Sequence, residues 1–290
     1  MVLDRNLTVR PAKPADRTAL LTLTRFDERV HVHLDWKPVE EWLGTQPFLL
    51  AERGRQVMGG LACPPDPPDT AWLRLFTQVE EVPASEMWDL LWGKAEPLLR
   101  ERGVRMMAVL CMDEWMETLC AASGFERTHA VVVLRRGHVE PPPAGPAPAG
   151  LRIRAARPAD HAAIYATDTA AFATPWQMSP ELMELAIERA DYLTVAEQAG
   201  LIVGYQLCTP SHQGAHLARL AVLPGRQGQG IGAALLRQML DHYHRRGARE
   251  ITVNTQDTNA ASLALYQHLG FRPTGARFPV YQFALEGGPA

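Results

Sequence analysis

Glycines occupy alternate positions near residue 228, directly after a short apolar run. The segment reads Val222-Leu-Pro-Gly-Arg-Gln-Gly-Gln-Gly-Ile-Gly-Ala233, so three glycines offer a ligand backbone without a Cβ in the way. An amphipathic stretch follows, and the first N–H groups of a helix have no partner within that helix. The positive end of the helix dipole adds to them, and both features favour phosphate or diphosphate binding. The segment therefore predicts an anion-binding loop between a strand and a helix.

Two common phosphate-binding motifs fit these glycines less well. A P-loop requires Gly-Lys-Ser or Gly-Lys-Thr after the glycines, and no lysine is present here. The pattern Gly228-x-Gly230-x-x-Ala233, with Glu250 20 residues beyond Gly230, satisfies a relaxed dinucleotide fingerprint. That fold places the motif at its first strand, however, and only 58 residues follow Gly232. They are too few for the remaining strand–helix–strand units.

Two motifs in this half of the chain resemble those of the GCN5-related N-acetyltransferase (GNAT) superfamily. Gln227-x-x-Gly230-x-Gly232 resembles the coenzyme A loop of that family. Asn259-Ala-Ala-Ser-Leu-Ala-Leu-Tyr266-Gln-His-Leu-Gly270-Phe271 resembles its second signature. The resemblance covers residues 151–285 in full, and residues 7–136 only through an internal repeat that lacks the loop.

The resemblance implies acetyl-CoA as the cofactor and assigns residues to its parts. The implied cofactor-binding residues are Leu220, Ala221 and Val222 for the pantetheine arm, Gln227, Gly228, Gln229, Gly230, Ile231, Gly232 and Ala233 for the diphosphate, and Asn259. One amide of the strand segment would stabilise negative charge on the thioester oxygen. Asn259 is also a suitable N-cap for the last helix, and the two roles are compatible.

Tyr266 resembles the general acid of the family, which protonates the departing thiolate. A phenol with a pKa of about 10 is a reasonable donor, although an aromatic side chain on a helix can equally well pack on the sheet. The base is left open, because His216-Leu-Ala-Arg-Leu-Ala-Val222 lacks the glutamate that many relatives carry on this strand. His216 is the first candidate, Asp257 the second, and a water chain to solvent is a third route.

Residue patterns in the same half predict an α/β fold with a mixed sheet, in the order β-α-α-β-β-β-α-β-α-β. The predicted strands are 151–154, 192–197, 201–207, 216–223, 250–255 and 278–285, and the predicted helices are 158–172, one that starts after Ser179, 230–246 and 260–269. Ser179 as N-cap and Pro180 at the first helical position are typical of a helix start.

The whole sequence is an internal duplication. Leu7-Thr-Val-Arg-Pro-Ala-Lys-Pro-Ala-Asp16 returns as Leu151-Arg-Ile-Arg-Ala-Ala-Arg-Pro-Ala-Asp160, and Gly124-Phe125 returns as Gly270-Phe271. A nearly constant spacing over more than a hundred residues indicates two copies of one fold. A proline-rich spacer, favouring extended conformation, lies between them. We therefore predict two tandem GNAT-like domains: a degenerate copy over 1–137, a linker over 138–150 and an acetyl-CoA-binding domain over 151–290.

The first copy has lost the glycine loop. The positions that correspond to Gln227, Gly230 and Gly232 carry Val82, Ser85 and Met87. Glu80 and Glu81 place two carboxylates where a diphosphate would lie, and like charges repel. We predict that the first copy does not bind coenzyme A in the usual way.

The resemblance also indicates where an acceptor would bind, because in the family the segment between the first two helices lines that pocket. Here this segment reads Phe172-Ala-Thr-Pro-Trp176-Gln-Met178, and in the first copy His31-Val-His-Leu-Asp-Trp36. Trp176 and Met178 would form an apolar wall, although core packing is the commoner role of such residues.

Composition excludes several classes of protein. The 290 residues are 47% hydrophobic and 21% charged, which is typical of globular chains, and the net charge of -3 gives no general attraction to nucleic acid or an anionic membrane. The four cysteines show no CxxC spacing, so neither a disulfide framework nor a metal site is expected. The sequence shows neither a signal-peptide pattern nor 18 consecutive apolar residues, and we expect a cytoplasmic protein.

These observations together predict an acetyl-CoA-dependent N-acetyltransferase that acts on a primary amine of a small molecule or peptide. The alternative is a non-catalytic acyl-CoA-binding sensor or interaction protein, which the missing strand carboxylate favours and Tyr266 opposes. The sequence identifies neither the acceptor nor the acyl chain length, and it leaves both a monomer and a homodimer open.

Overall fold

The structure, a computed structural model, describes residues 7–26, 29–137, 145 and 148–285. The chain divides into two compact units: unit 1 comprises Met1–Thr128 with Phe278–Ala290, and unit 2 comprises His129–Arg277. Both combine helices with mixed sheets, so the α/β fold class is confirmed. Most of the proline-rich spacer lies outside the described residues, and the domain limits at 137 and 151 stay a prediction.

Unit 1 contains the elements of the first repeat. Its helices are α1 (Arg17–Phe26), α2 (Ala84–Glu101) and α3 (Glu114–Ala122). Its strands are β1 (Leu7–Pro11), β2 (Val30–Val32), β3 (Phe48–Arg53), β4 (Gln56–Ala62), β5 (Thr70–Trp72), β6 (Leu75–Gln78), β7 (Met106–Leu110) and the start of β8 (Glu126–Gly137). Strands β1-β3-β4-β6-β2 form one sheet, and β5 pairs in parallel with β7.

Unit 2 contains the elements of the second repeat. Its helices are α4 (His161–Ala171), α5 (Pro180–Glu188), α6 (Ile231–Arg245) and α7 (Ala260–His268). Its strands are β9 (Leu151–Ala155), β10 (Tyr192–Gln198), β11 (Leu201–Ser211), β12 (Gly214–Val222), β13 (Glu250–Gln256) and the start of β14 (Arg272–Ala284). The sheet runs β9-β10-β11-β12-β13-β8-β14, and of the pairs whose direction is established only β12–β13 is parallel.

The duplication is visible as the same ion-pair network in both units. Arg10 lies 2.7 Å from Asp16 and 2.6 Å from Glu52, and both carboxylates accept from its guanidinium. Arg154 makes the equivalent contacts, 2.6 Å to Asp160 and 2.9 Å to Glu197. In each unit the aspartate also accepts from a backbone N–H three residues earlier, at the turn that precedes the first helix.

Strand β8 and strand β14 each contribute to both units. Residues 131–137 of β8 pair with all seven residues of β13 in unit 2, while 280–284 of β14 pair with β7 in unit 1. The predicted closing strand 278–285 therefore does not complete the second copy. The physical reason is that β8 already fills the position beside β13. The strand also begins earlier than expected, at Arg272, and it includes Pro273 and Gly275, the latter with φ 91°.

The other elements of unit 2 follow the sequence prediction closely. Ser179 caps α5, since its Oγ accepts from the N–H of Leu182 at 3.1 Å. Helix α6 buries a stripe spaced by three or four residues, and this stripe packs on the sheet with α7. The buried members of that stripe are Ile231, Leu235, Leu236, Met239, Leu240 and Tyr243. No helix among the described residues has both the length and the apolar character needed to span a bilayer.

Candidate active site

A gap opens in the sheet of unit 2 between the two parallel strands. Strands β12 and β13 pair only over Gly214–Leu217 and Glu250–Val253. At that point β12 carries a bulge, because Leu217 faces Cys208 and Arg219 faces Leu207, which leaves Ala218 without an opposite residue. Beyond the bulge β12 stays paired with β11 alone, so its other edge is open.

The open edge presents backbone groups of the predicted pantetheine segment. The N–H of Leu223 bonds to the carbonyl of Val203 at 2.9 Å. Since residues of an antiparallel strand point alternately toward and away from their partner, Leu220 and Val222 direct their N–H and C=O groups away from β11. The N–H groups of both residues and the carbonyl of Leu220 can therefore bond to an extended ligand in the gap, whereas Ala221 faces β11.

The predicted anion loop joins the end of β12 to the start of α6. Gly228 has φ 74° and Gly230 has φ 81°, conformations that a residue with a Cβ adopts only with strain. Gly230 is the N-cap and provides no side chain to bond the first N–H groups of α6. The amides of Ile231, Gly232 and Ala233 are thus available to an anion. This arrangement fits a diphosphate, as the glycine spacing predicts.

Packing contacts fix the shape of this loop. Ile231 is buried in a cluster with Ala196, Val203 and Leu235, which anchors the first residue of α6. The side-chain amides of Gln227 and Gln229 donate to the carbonyls of Val222, at 3.0 Å, and Gly225, at 3.3 Å. Both glutamines therefore hold the loop through their side chains, and the N–H of Gln227 also bonds within the turn, to the carbonyl of Pro224 at 3.3 Å.

The loop also packs beside the helix that carries Tyr266. A Cβ on Gly232 would lie 3.3 Å from the side chain of Leu265 on α7, so the glycine lets the two helices approach. Asn259 caps α7, since its Oδ1 accepts from the N–H of Ser262 at 3.1 Å. Its capping role is thus observed, while its contact with a cofactor stays a prediction.

Tyr266 lies under the sheet on the face covered by α6 and α7. It is 5% exposed and belongs to the cluster that contains Leu217 and Val253, the last pair before the gap. Burial raises the pKa of Tyr266, and a hydrogen bond with Ser262 opposes this shift. Its ring also packs on Phe271, with centroids 5.8 Å apart. The structure thus places Tyr266 both in a core and near the gap.

His216 lies on the opposite face of the sheet, apart from Tyr266. Its neighbours Ala215 and Leu217 face α6 and α7, so the alternation of side chains directs His216 toward α4. Its Nδ1 is 2.9 Å from the hydroxyl of Thr252, the residue opposite it on β13. Burial lowers the pKa of His216. His216 therefore lies where the strands are still paired, before the gap begins.

Asp257, the second candidate base, is engaged in two interactions. Its carboxylate accepts from the N–H of Ala130 at 3.0 Å and lies 2.6 Å from the guanidinium of Arg277. The bond from Ala130 contributes most to lowering the pKa of Asp257, and Arg277 adds to it. A carboxylate stabilised in its charged form is a weak proton acceptor. The bond from Ala130 also joins Asp257 to β8, so the residue holds this strand beside the end of β13.

A buried charged pair, which the sequence analysis does not identify, lies on the α4 face of the gap. Arg219, the first residue after the bulge, donates to both carboxylate oxygens of the fully buried Asp168 at 2.7–3.0 Å. Asp168 also accepts from the hydroxyl of Tyr205. The guanidinium lies 3.8 Å above the Phe172 ring and donates to the carbonyl of Trp176 at 3.1 Å. It thereby fixes the predicted acceptor segment to β12.

Another cleft, of about 380 Å³, lies between the first turns of α4 and α5. Its lining includes His161, Tyr165 and Glu184, and His161 lies 3.0 Å from the Glu184 carboxylate. None of the predicted site residues lines it. We place the candidate site at the gap, because the free backbone groups and the loop converge there. Among the described residues no group of three or more metal-ligating side chains is found.

The corresponding edge in unit 1 is occupied by the protein itself. Residues 75–78 of β6 correspond in the repeat to 220–223, and β2 pairs with β6, with His31 opposite Phe76. Met87, which replaces Gly232, is fully buried, and a Cβ on Gly59 would lie 2.7 Å from its sulfur. Strand β2 thus takes the edge that stays open in unit 2.

Residues 161–271 match the Acetyltransferase (GNAT) family. The mycothiol acetyltransferase of Thermobispora bispora is 32% identical over 169 residues, a match that covers 53% of this chain and 57% of that protein. The ribosomal protein bS18-alanine N-acetyltransferase of Escherichia coli K12 is 31% identical over 123 residues, 42% of this chain and 81% of that protein. This chain thus spans little more than half the length of the mycothiol acetyltransferases that it matches.

Solved structures match both halves of the chain together. A GCN5-related N-acetyltransferase from Sphaerobacter thermophilus has a TM-score of 0.67 at 18% identity, covering 99% of this chain and 98% of that one. A tandem GNAT protein from the clavulanic acid biosynthesis pathway has a TM-score of 0.66 at 18% identity, covering 98% and 99%. At this identity the likeness establishes the fold alone, a two-domain arrangement of GNAT-like units.

Proposed function

The chain belongs to the GNAT acetyltransferase family, and from that premise we propose that unit 2 is an acetyl-CoA-dependent N-acetyltransferase acting on a primary amine. The observation that carries this proposal is that the open edge of β12 and the start of α6 are continuous. The open edge at Leu220 and Val222 leads directly into the uncapped first turn of α6. An extended arm that ends in a diphosphate matches this sequence of donors.

Acetyl-CoA would supply an activated acetyl group, and residues of unit 2 have separate tasks toward it. The amides of Gly228 through Ala233 hold the diphosphate, and Leu220 and Val222 bind the arm in the gap. Arg219 keeps Phe172 and Trp176 against β12, where they form an apolar wall of the acceptor side. Tyr266, on the other face, holds a proton for the leaving sulfur.

The environment of Tyr266 suits a proton donor. Because burial raises its pKa, the hydroxyl is protonated throughout the neutral pH range. Donation to a thiolate leaves the phenolate in an apolar site, which is unfavourable, so a proton released by the acceptor nitrogen must restore it. Proton donation and proton release are therefore coupled across the sheet.

The names of the relatives support acetyl transfer without selecting one acceptor. One relative is named for mycothiol and another for an alanine of a ribosomal protein, a small molecule and a protein. We therefore propose the broad class, a primary amine of a small molecule or peptide, for this chain. Unit 1 does not bind acetyl-CoA in this proposal, because β2 fills its strand edge.

Calorimetry and thiol release test the proposal together. Acetyl-CoA should bind with one site per chain. Free thiol should then appear only when a suitable amine is added, from a panel of spermidine, kanamycin, glucosamine and a peptide with N-terminal alanine. Binding without turnover on the whole panel would favour the sensor alternative. Two sites per chain would contradict the assignment of unit 1.

A further inference from the structure

The proposed reaction needs a group that takes a proton from the acceptor nitrogen, and the two carboxylates nearest the gap are already engaged. Asp168 is fully buried and accepts from Arg219 and Tyr205. Asp257 accepts from Ala130 and is paired with Arg277. Each carboxylate would lose these bonds on protonation, so neither is a suitable acceptor.

His129 lies close to Asp257, at the end of the sheet toward which the gap opens. Ala130 and Asp257 are joined twice, since the N–H of Asp257 bonds to the Ala130 carbonyl at 2.8 Å and the Asp257 carboxylate accepts from Ala130. These bonds fix β8, at the residue directly after His129, to the end of β13. His129 is half-buried there, and its Nε2 lies inside the protein.

Trp176 connects His129 to the other side of the gap. Its ring centroid lies 5.7 Å from that of His129, while its carbonyl accepts from Arg219 on β12. One residue of the acceptor segment thus contacts side chains that project from both sides of the opening. His129, Trp176 and Arg219 consequently border the α4 side of the gap, opposite Tyr266.

Resting on the proposed function, we infer that His129 is the general base of unit 2, taking the proton from the acceptor amine on the α4 side of the gap. An ammonium nitrogen carries three protons and ends as an amide nitrogen with one. One of the two protons passes through His129 to solvent, and the other ends on the thiol through Tyr266. The nitrogen–carbon bond forms, the carbon–sulfur bond breaks, and the sulfur retains that electron pair until it is protonated.

The electrostatic surroundings of His129 favour the neutral imidazole. Burial lowers its pKa from the usual 6.5, and the negative charge of Asp257 opposes this. Arg277 neutralises much of that negative charge, and Arg219, which approaches from the Trp176 side, is itself paired with Asp168. A neutral imidazole at pH 7 is the form that accepts a proton, and kcat/KM should fall as pH drops through this pKa.

His129 differs from His216 in its relation to the gap. Both imidazoles lie on the α4 side, yet His216 bonds to Thr252 within the part of the sheet where β12 and β13 are still paired. An acceptor amine that enters at the gap therefore reaches His129 and not His216. We therefore expect replacement of His129, rather than of His216, to remove the base.

The test compares the full-length protein with His129→Gln, His216→Gln and His212→Gln. His212 lies exposed on the turn between β11 and β12, so its replacement is the matched control. With an amine from the panel, His129→Gln should lower kcat/KM about 100-fold and remove the acid limb of the pH profile. The dissociation constant for acetyl-CoA should change less than about twofold, since His129 lies outside the loop.

An independent measurement uses the imidazole NMR signals of the ten histidines, with that of His129 assigned by its loss in His129→Gln. We expect this signal to titrate below 6.5 and to shift when acetyl-CoA is added. A wild-type pH profile in His129→Gln, or a signal unmoved by bound acetyl-CoA, would overturn the role of His129. Acetyl-CoA binding without acetylation of any amine overturns the proposed function instead, and the NMR shift still decides whether His129 borders the bound carrier.

Discussion

Tyr266 provides the most direct test of chemistry at a single residue. Its ring is packed in a core, so Tyr266→Phe keeps the packing and removes only the hydroxyl. We expect kcat to fall about 100-fold, the usual contribution of a positioned acid, with the calorimetric Kd for acetyl-CoA nearly unchanged. Tyr165→Phe, on the α4–α5 cleft, is the control and should behave as wild type. Weaker binding with intact turnover would contradict the assigned role.

Asp160 makes a pH-dependent contribution to stability. Hydrogen bonds from Arg154, with the N–H of Arg157, lower the pKa of Asp160 to about 2, below its usual 3.8. The carboxylate therefore stabilises the fold above about pH 4, and this contribution is lost as the pH falls through 2.

The variant Asp160→Asn measures this contribution. At pH 7 we expect it to lower the free energy of unfolding by about 1–2 kcal/mol in urea, because hydrogen bonds to a charged group are lost in a partly solvated site. The difference from wild type should shrink as the pH is lowered from 4 toward 2. Glu184→Gln, which removes an exposed pair with His161, should cost less than about 1 kcal/mol. A difference that does not depend on pH would exclude this mechanism.

Residues with local signals were predictable, and those that depend on distant partners were not. The loop glycines and the Asn259 cap follow from the order of neighbouring residues. Asp168 and Arg219 are 51 residues apart, and only the fold brings them together. One signal was present: Asp168 is a charged residue four positions after the buried Ile164, on the buried side of α4. His129 had no such signal, because it lies in the part of the sequence assigned to the other domain.

At the scale of the elements, the turn from β12 into α6 determines whether the anion site forms. An alanine at Gly230 must adopt φ near 81°, which costs about 1 kcal/mol or moves the first turn of α6. We expect Gly230→Ala to weaken acetyl-CoA binding at least tenfold by calorimetry. Gly225→Ala is the control in the same loop, since an added Cβ meets nothing within 4 Å and Gly225 has no positive φ. Equal affinities for both variants would show that the loop conformation is unimportant for binding.

Most elements could be predicted from periodicity and caps, but the pairing of two strands could not. Periodicity identifies a strand and says nothing about which neighbour it finds. Phe278–Ala284 has the pattern of a closing strand for the second repeat and pairs in unit 1 instead. The partner of Phe278–Ala284 depends on which segment pairs with β13. That segment is β8, which is distant from β13 in the sequence.

At the scale of the whole molecule, the last strand of each repeat pairs in the other unit. Because of this exchange of strands, neither repeat of the sequence corresponds to one compact unit. Unit 2 needs residues 129–137, which precede the proline-rich spacer, and does not include residues after 277. A fragment cut at the spacer, 151–290, would leave all seven residues of β13 without the partner they have in β8. An unpaired, apolar strand edge in the middle of a sheet favours aggregation.

We therefore expect fragment 129–277, and not fragment 151–290, to unfold cooperatively and to bind acetyl-CoA with nearly the affinity of the full chain. Circular dichroism during thermal unfolding and calorimetry measure the two properties on the same samples. Fragment 138–277, which lacks only the β8 segment, separates the loss of this strand from any effect of the last residues and should fail like 151–290. If 151–290 binds normally, Phe278–Ala284 can take the place of β8 beside β13, and the exchange is then one of two accessible pairings.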